Sequence, residues 1–230
     1  MSLQWFFVTG TDTDAGKTLV TSGLLALANG CGLRTAAVKP VAAGSMNSAA
    51  GFRNQDALLL QNHCSYRLSY DQVNPVALAL PIAPHIAAAR EQIELSAVKL
   101  IEHCREFDRF PIDVCFIEGA GGWRVPLNRN QMLSDVAIGL RCKVILVVGM
   151  RLGCLNHAVL TAEAIRRDGL CIAGWVANLL ETEMPVVEEN IATLRDLFDE
   201  PCLGIVPRLM KPTGQSVAPY LILPEQIDSS

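Results

Sequence analysis

The stretch Phe6 to Thr18, FFVTGTDTDAGKT, decides how the rest of the chain is read. An aromatic and β-branched run ends at Gly10 and a short polar loop follows. Gly16-Lys17-Thr18 then opens a segment with Leu19, Val20, Leu24, Leu27 and Ala28 on one helical face. Strand, loop and helix in that order make the context a phosphate-binding loop requires. Backbone N–H groups turn inward there, and the helix N-terminus adds partial positive charge. The usual spelling is Gly-x-x-x-x-Gly-Lys-Ser/Thr. Here Thr11 stands at the first glycine position and Gly10 comes one residue early. Lys17 is placed to reach the β- and γ-phosphates, and Thr18 to offer its hydroxyl to Mg²⁺. A chance Gly-Lys-Thr with Lys17 in solvent is the competing reading, and the order of elements argues against it.

Outward from this loop, strands and helices alternate. Gln4 to Thr9 reads as the first strand and Thr35 to Lys39 as the second, stopped by Pro40. Further strands are expected at 113–118, 143–148, 171–180 and 202–206. Helices are expected around Asp56 and over 95–107, 157–168 and 184–198. The stretches 41–54 and 65–90 read as irregular. Several strands are continuous apolar runs, which marks a parallel sheet covered on both faces. The expectation is one α/β domain over residues 1–230, with a mostly parallel sheet and helices on both faces, like a P-loop NTPase.

Composition narrows the function. The 230 residues carry a net charge of −4 without a Lys/Arg cluster, so no nucleic-acid footprint is present. No apolar run reaches the roughly 20 residues needed to span a bilayer. The N-terminus lacks a basic segment before its apolar residues. A soluble cytoplasmic protein is expected. The eight cysteines stand singly, without a C-x-x-C, and are expected to be reduced, small buried hydrophobes.

In open parallel sheets, ligands bind beyond the carboxyl ends of the strands. Glu118 ends the apolar run Val114 to Ile117, where P-loop NTPases place a second metal ligand, and Gly119-Ala120-Gly121-Gly122 lets backbone approach a ligand closely. Lys39 ends the second strand. Alone it would be an ordinary solvated lysine; at that tip it faces the γ-phosphate end. Asp56 alone would be a helix-surface acid. Asn178 ends another strand, where its amide suits the N6/N7 edge of adenine or a simple turn.

Taken in order, these motifs resemble the dethiobiotin synthetase family. They are Val8 to Thr18, Lys39-Pro40-Val41-Ala42, Asn54-Gln55-Asp56-Ala57, Val73-Asn74-Pro75, Ala83-Pro84-His85, Glu118 to Trp123, Leu146 to His157 and Ala173 to Asn178. The resemblance runs from about residue 5 to 209 and leaves the tail from about 211 unmatched. The early glycine is part of that family's own loop. The resemblance implies ATP-dependent joining of 7,8-diaminononanoate and CO₂ to dethiobiotin, with Mg²⁺, in biotin synthesis.

It also implies roles. Thr13, Lys17 and Lys39 would act in the chemistry; Asp14, Ala15, Gly16, Lys17, Thr18, Gly119, Ala120, Gly121, Asn178, Leu179, Pro207, Arg208 and Leu209 would hold the nucleotide. Thr18, Asp56 and Glu118 would hold the metal. Thr13, Lys39, Ala43 and the Gly153-Cys154-Leu155-Asn156 segment would contact the diamine, the last from the partner of a homodimer. Ala43 replaces a serine common in the family, Leu179 an aspartate, and Asn190 lies near a common tyrosine, so weaker diamine binding is expected. A partitioning or switch ATPase is the alternative. Such loops carry an additional lysine near the motif start, where this chain has Thr11 and Asp12. A corrin-amidating relative would need a glutaminase domain for which no length remains. A catalytically dead nucleotide binder would not need Lys17, Thr18, Lys39 and Glu118 together.

Overall fold

The computed structural model describes residues 3–181 and 184–228. Its apolar runs form six strands: β1 (Gln4–Gly10), β2 (Thr35–Val38), β3 (Val114–Glu118), β4 (Lys143–Met150), β5 (Ile172–Leu179) and β6 (Cys202–Val206). All neighbours pair in parallel, in the order β6-β5-β4-β1-β3-β2. Every residue of β3 is buried, as are all of β4 beyond Lys143, so both faces of the centre are covered.

Seven helices of seven residues or more accompany the sheet among the described residues: α1 (Lys17–Gly30), α2 (Gln55–His63), α3 (Pro84–Glu91), α4 (Ala97–Arg105), α5 (Ser134–Leu140), α6 (Cys154–Arg167) and α7 (Val187–Leu197). The chain leaves β1 toward β2 in one direction, and from β2 onward runs across the sheet in the other. Parallel crossovers are right-handed, so the reversal puts α1 on one face and α4 to α7 on the opposite one. The packing agrees: α4 touches α5 and α6 touches α7, while α1 packs against α2. The reversal also opens a crevice at the carboxyl end of β1.

The face carrying α1 has fewer helices, and the C-terminal tail completes it. Val217, Leu221, Leu223 and Ile227 are buried, and Leu221 bridges Gly204 of β6. A Cβ on Gly23 would meet Leu221 and Val217 at 2.7 and 2.9 Å, so α1 needs glycine there to let the tail close in.

Several expectations change. The stretch 41–54 holds a short antiparallel hairpin, Met46–Ser48 with Gly51–Arg53, and Val41–Ala42 pairs with Val76–Ala77. The stretch 65–90 holds α3 and a one-turn helix, Tyr70–Val73, closed by a Ser69/Gln72 capping box. Helix α5 was not expected, α6 begins three residues early, and α7 begins at Val187, three residues after its expected start at 184. All eight cysteines are free thiols, but Cys31 and Cys171 are exposed, so only part of the set serves as buried hydrophobes. Cys171 lies just before β5, where its carbonyl accepts from Val144 N–H of β4 at 2.9 Å while the residue stays exposed.

Candidate active site

The loop between β1 and α1 is fastened from both sides. On one side Thr11 N–H donates to the Val147 carbonyl at 3.0 Å, and Gly149 N–H donates to Thr11 Oγ1 at 3.3 Å. On the other, Asn178 Nδ2 donates to the Ala15 carbonyl at 2.9 Å. Gly16 has φ +93, and a Cβ there would lie 2.0 Å from Asn178 Nδ2. Only glycine serves both the left-handed turn and that close approach. Lys17 Nζ donates to the Asp12 carbonyl at 2.9 Å, within the loop itself. Burial pushes the Lys17 pKa down to about 8; Glu118 opposes that shift and Lys39 adds to it.

A second cluster sits at the tips of β2 and β3. Lys39 Nζ donates to Glu118 Oε1 at 2.5 Å and lies 3.1 Å from Asp56 Oδ2. Thr18 Oγ1 donates to the same Glu118 oxygen at 2.7 Å. Burial acts against the Lys39 charge, but Glu118 and Asp56 together outweigh it and hold its pKa above the ordinary lysine value. The ammonium is therefore permanently charged at neutral pH. Its backbone is also set: Lys39 N–H donates to the Val73 carbonyl at 2.7 Å, and Asn74 Nδ2 donates to the Lys39 carbonyl at 2.7 Å. Asn54 caps α2, accepting from the N–H groups of Asp56 and Ala57, which aims Asp56 at the cluster. The asparagines of the two sequence motifs thus build the scaffold under the charged residues.

One atom of this cluster lacks a partner. Glu118 is wholly buried, and its Oε2 makes no hydrogen bond. A buried carboxylate oxygen left unpaired is costly. Together with the Thr18 hydroxyl and the Asp56 carboxylate it forms an all-oxygen set that fits a hard divalent cation also bound by phosphates.

These residues open onto a cleft of about 1140 Å³. Thr13, Asp14, Gly16, Lys17 and Thr18 line it from the loop. Lys39, Ala43, Asp56, Glu118, Ala120 and Gly121 line it from the facing elements. Ala15 is buried beneath the loop, and Gly119 lies against Phe7. Asn178 is buried under the loop as a brace; its Nδ2 is committed to Ala15. Leu179, Pro207, Arg208 and Leu209 gather at the ends of β5 and β6, where Arg208 Nη1 donates to the Leu180 carbonyl, beside the cleft and outside its lining. The segment Gly153 to Asn156 is also outside the lining: Gly153 and Asn156 are exposed, next to the exposed Leu152, and Cys154 is buried.

Other lining residues escaped the sequence reading. Leu59 and His63 follow Asp56 at helical spacing on α2, a signal that was available. Arg124 lies two residues beyond Gly122 and pairs with Asp168 at 2.7 Å. Pro212 to Gln215 of the tail line the cleft as well, and Gly214 packs so tightly that a Cβ would meet the Ser22 carbonyl at 2.5 Å.

A family model described as an AAA domain matches residues 4–216. The chain is 55% identical to the ATP-dependent dethiobiotin synthetase BioD of Cellvibrio japonicus, covering all of both chains. It is 54% identical to that of Pseudomonas aeruginosa strain UCBPP-PA14, over 95% of this chain and 96% of the relative. The expectation that the tail from 211 falls outside the likeness is thereby overturned, in line with its buried residues. Among solved structures, MinC:MinD of Aquifex aeolicus superposes with TM-score 0.58 at 16% identity, covering 90% of this chain and 82% of that one. Chloroplast FtsY of Physcomitrella patens gives 0.52 at 16%, covering 95% and 65%. Both likenesses concern the fold alone.

Proposed function

The chain belongs to the ATP-dependent dethiobiotin synthetases, ligases of biotin biosynthesis, and from that premise we propose how its residues divide the work. ATP lies with its phosphates on the loop from Asp14 to Thr18, which Asn178 braces through Ala15, and with adenine toward Leu179 and Pro207 to Leu209. The diamine, 7,8-diaminononanoate, reaches Thr13, Lys39 and Ala43. One of its amines adds to CO₂ and forms a carbamate. A carbamate oxygen attacks the γ-phosphorus and ADP leaves. The second amine attacks the carbonyl carbon of the resulting carbamic–phosphoric anhydride, phosphate departs, and the ureido ring closes.

The physical difficulty is that two anions must meet. A carbamate beside a triphosphate is opposed by about 1 kcal/mol per charge pair at 4 Å in water, and by several in a drier cleft. Lys17 and Lys39 offset that repulsion, and Thr13 orients the reactants; no protein group attacks. Thr18, Asp56 and Glu118 would hold Mg²⁺, which when bound supplies charge neutralisation at the phosphates. The observation that carries this reading is the buried Lys39 ammonium held between Glu118 and Asp56 at the cleft wall.

The Leu152 to Asn156 segment, which opens α6 with Leu152, Gly153 and Asn156 exposed, suits a carboxylate tail lying in the cleft of a second subunit. A cytoplasmic homodimer with the diamine at its interface is the arrangement proposed. The decisive assay combines the protein with diamine, bicarbonate, Mg²⁺ and ATP and follows a ureido product by mass. Substrate-independent ATP hydrolysis without that product would reject this division of labour in favour of a switch ATPase.

A further inference from the structure

Asp12 does three things at once. Its backbone carbonyl accepts from Lys17 Nζ at 2.9 Å, and its Oδ1 accepts from Thr13 N–H at 2.7 Å. Its Oδ2 pairs with the Arg151 guanidinium. Arg151 in turn is held where β4 gives way to α6, its carbonyl accepting from Cys154 N–H at 3.0 Å. The pair is half-exposed, so as a plain surface ion pair it contributes little to stability. Its place gives it another task. The two nearer fastenings from β4 reach only Thr11, one residue earlier in the loop. Arg151 is the side chain that fixes Asp12 itself, and Asp12 in turn orients the carbonyl holding Lys17 and the N–H of Thr13.

We propose that Arg151 is a positioning residue for nucleotide use: through Asp12 it sets the outer half of the phosphate loop and the resting place of the Lys17 ammonium. With Arg151 removed, Asp12 turns its carboxylate to solvent. Its carbonyl then no longer faces Lys17, and the Thr13 N–H loses its acceptor. MgATP must then order the loop as it binds. The inference rests on the reading of this loop as the triphosphate seat, which wild-type turnover tests independently.

The test uses full-length Arg151→Gln, Asp12→Asn, the double variant and Arg151→Lys, with steady-state kinetics and thermal melts. Arg151→Gln and Asp12→Asn are each expected to raise KM for MgATP about five- to tenfold with kcat and melting temperature nearly unchanged, a uniform-binding loss. The double variant is expected to match the singles, and Arg151→Lys to restore most of the loss. A wild-type KM in both single variants, or fully additive effects in the double, would overturn the proposal. Absent turnover in the wild type would instead indict the nucleotide reading.

Discussion

Raising the pH should weaken MgATP binding in a way that Lys17 alone accounts for. Burial holds its pKa near 8 in the free protein, against an ordinary value of 10.5. A triphosphate beside it would restore the ordinary value or exceed it. Below about 8 the ammonium is already charged and binding takes up almost no proton. Above it, a proton must be acquired with the nucleotide. The free lysine is about 90% charged at pH 7 and about 10% charged at pH 9, so affinity should fall about tenfold between them, about 1.4 kcal/mol. Titration calorimetry in buffers of different ionisation enthalpy should then find about 0.9 proton taken up per MgATP at pH 9 and about 0.1 at pH 7. Stability moves oppositely in the free protein. A lysine with a depressed folded pKa is a burden, about 3 kcal/mol here, that is fully present below pH 8 and relieved as pH climbs from about 8 to 10.5. Comparison with Lys17→Met isolates this contribution from other titrating groups. Equal proton uptake at both pH values, or a pH slope of affinity unchanged in Lys17→Met, would refute the argument.

Other consequences are as concrete. Lys39→Gln should abolish most turnover and lower stability by about 3 kcal/mol, because it leaves buried Glu118 uncompensated; chemical denaturation and product assays check both, and wild-type stability would remove the ion cluster from the account. Gly16→Ala should lose MgATP binding, since its Cβ would strike Asn178, whereas Gly30→Ala, with open space around it, should bind normally and melt slightly higher. Leu221→Ala should cost about 3 kcal/mol in urea denaturation by opening a cavity under the tail, and an unchanged midpoint would show that the tail is not part of the core. Ala43→Ser should lower KM for the diamine with kcat little changed, as steady-state kinetics would reveal; an unchanged KM would deny the missing hydroxyl a role.

What could be read without coordinates follows physical range. The strands were legible because each is a short, continuous apolar run with an abrupt stop, and β6 matches its expected bounds of Cys202 and Val206. Lys39 and Glu118 were legible because they stand at strand tips, where parallel topology leaves few other places for a ligand, whereas Asp56, on α2, reads alone as a surface acid. Helix α5 was missed because Ser134–Leu140 is short, contains Gly139 and makes its helical case only through packing: a Cβ on Gly139 would lie 2.3 Å from Ile101 of α4. The tail was missed for a similar reason. Its apolar residues are spaced without a period, and their partners, Gly23 and Gly204, are far off in sequence. Contacts over such separations leave no local pattern. Asn178 shows the same limit differently: its position at a strand end was plain, but its bond to Ala15 depends on how two loops meet.

The two lysines of the cleft are held in different ways, and that difference suits successive tasks. Lys17 rests on a neutral carbonyl, with its charge lowered in stability by burial, so little resists its move onto an incoming triphosphate. Lys39 rests on two carboxylates that keep it charged and fixed. It cannot turn wholly to an anionic substrate while Glu118 and Asp56 depend on it for neutralisation. A divalent cation drawn to the unpaired Glu118 Oε2 would relieve that dependence and leave Lys39 free to face the carbamate and the γ-phosphate. Under the proposed division of labour, the cleft lysines are balanced by their own carboxylates and carbonyl until nucleotide and metal arrive, and their charge would then turn to the reactants. That order would keep the carbamate from meeting a bare triphosphate, the encounter that electrostatics most opposes.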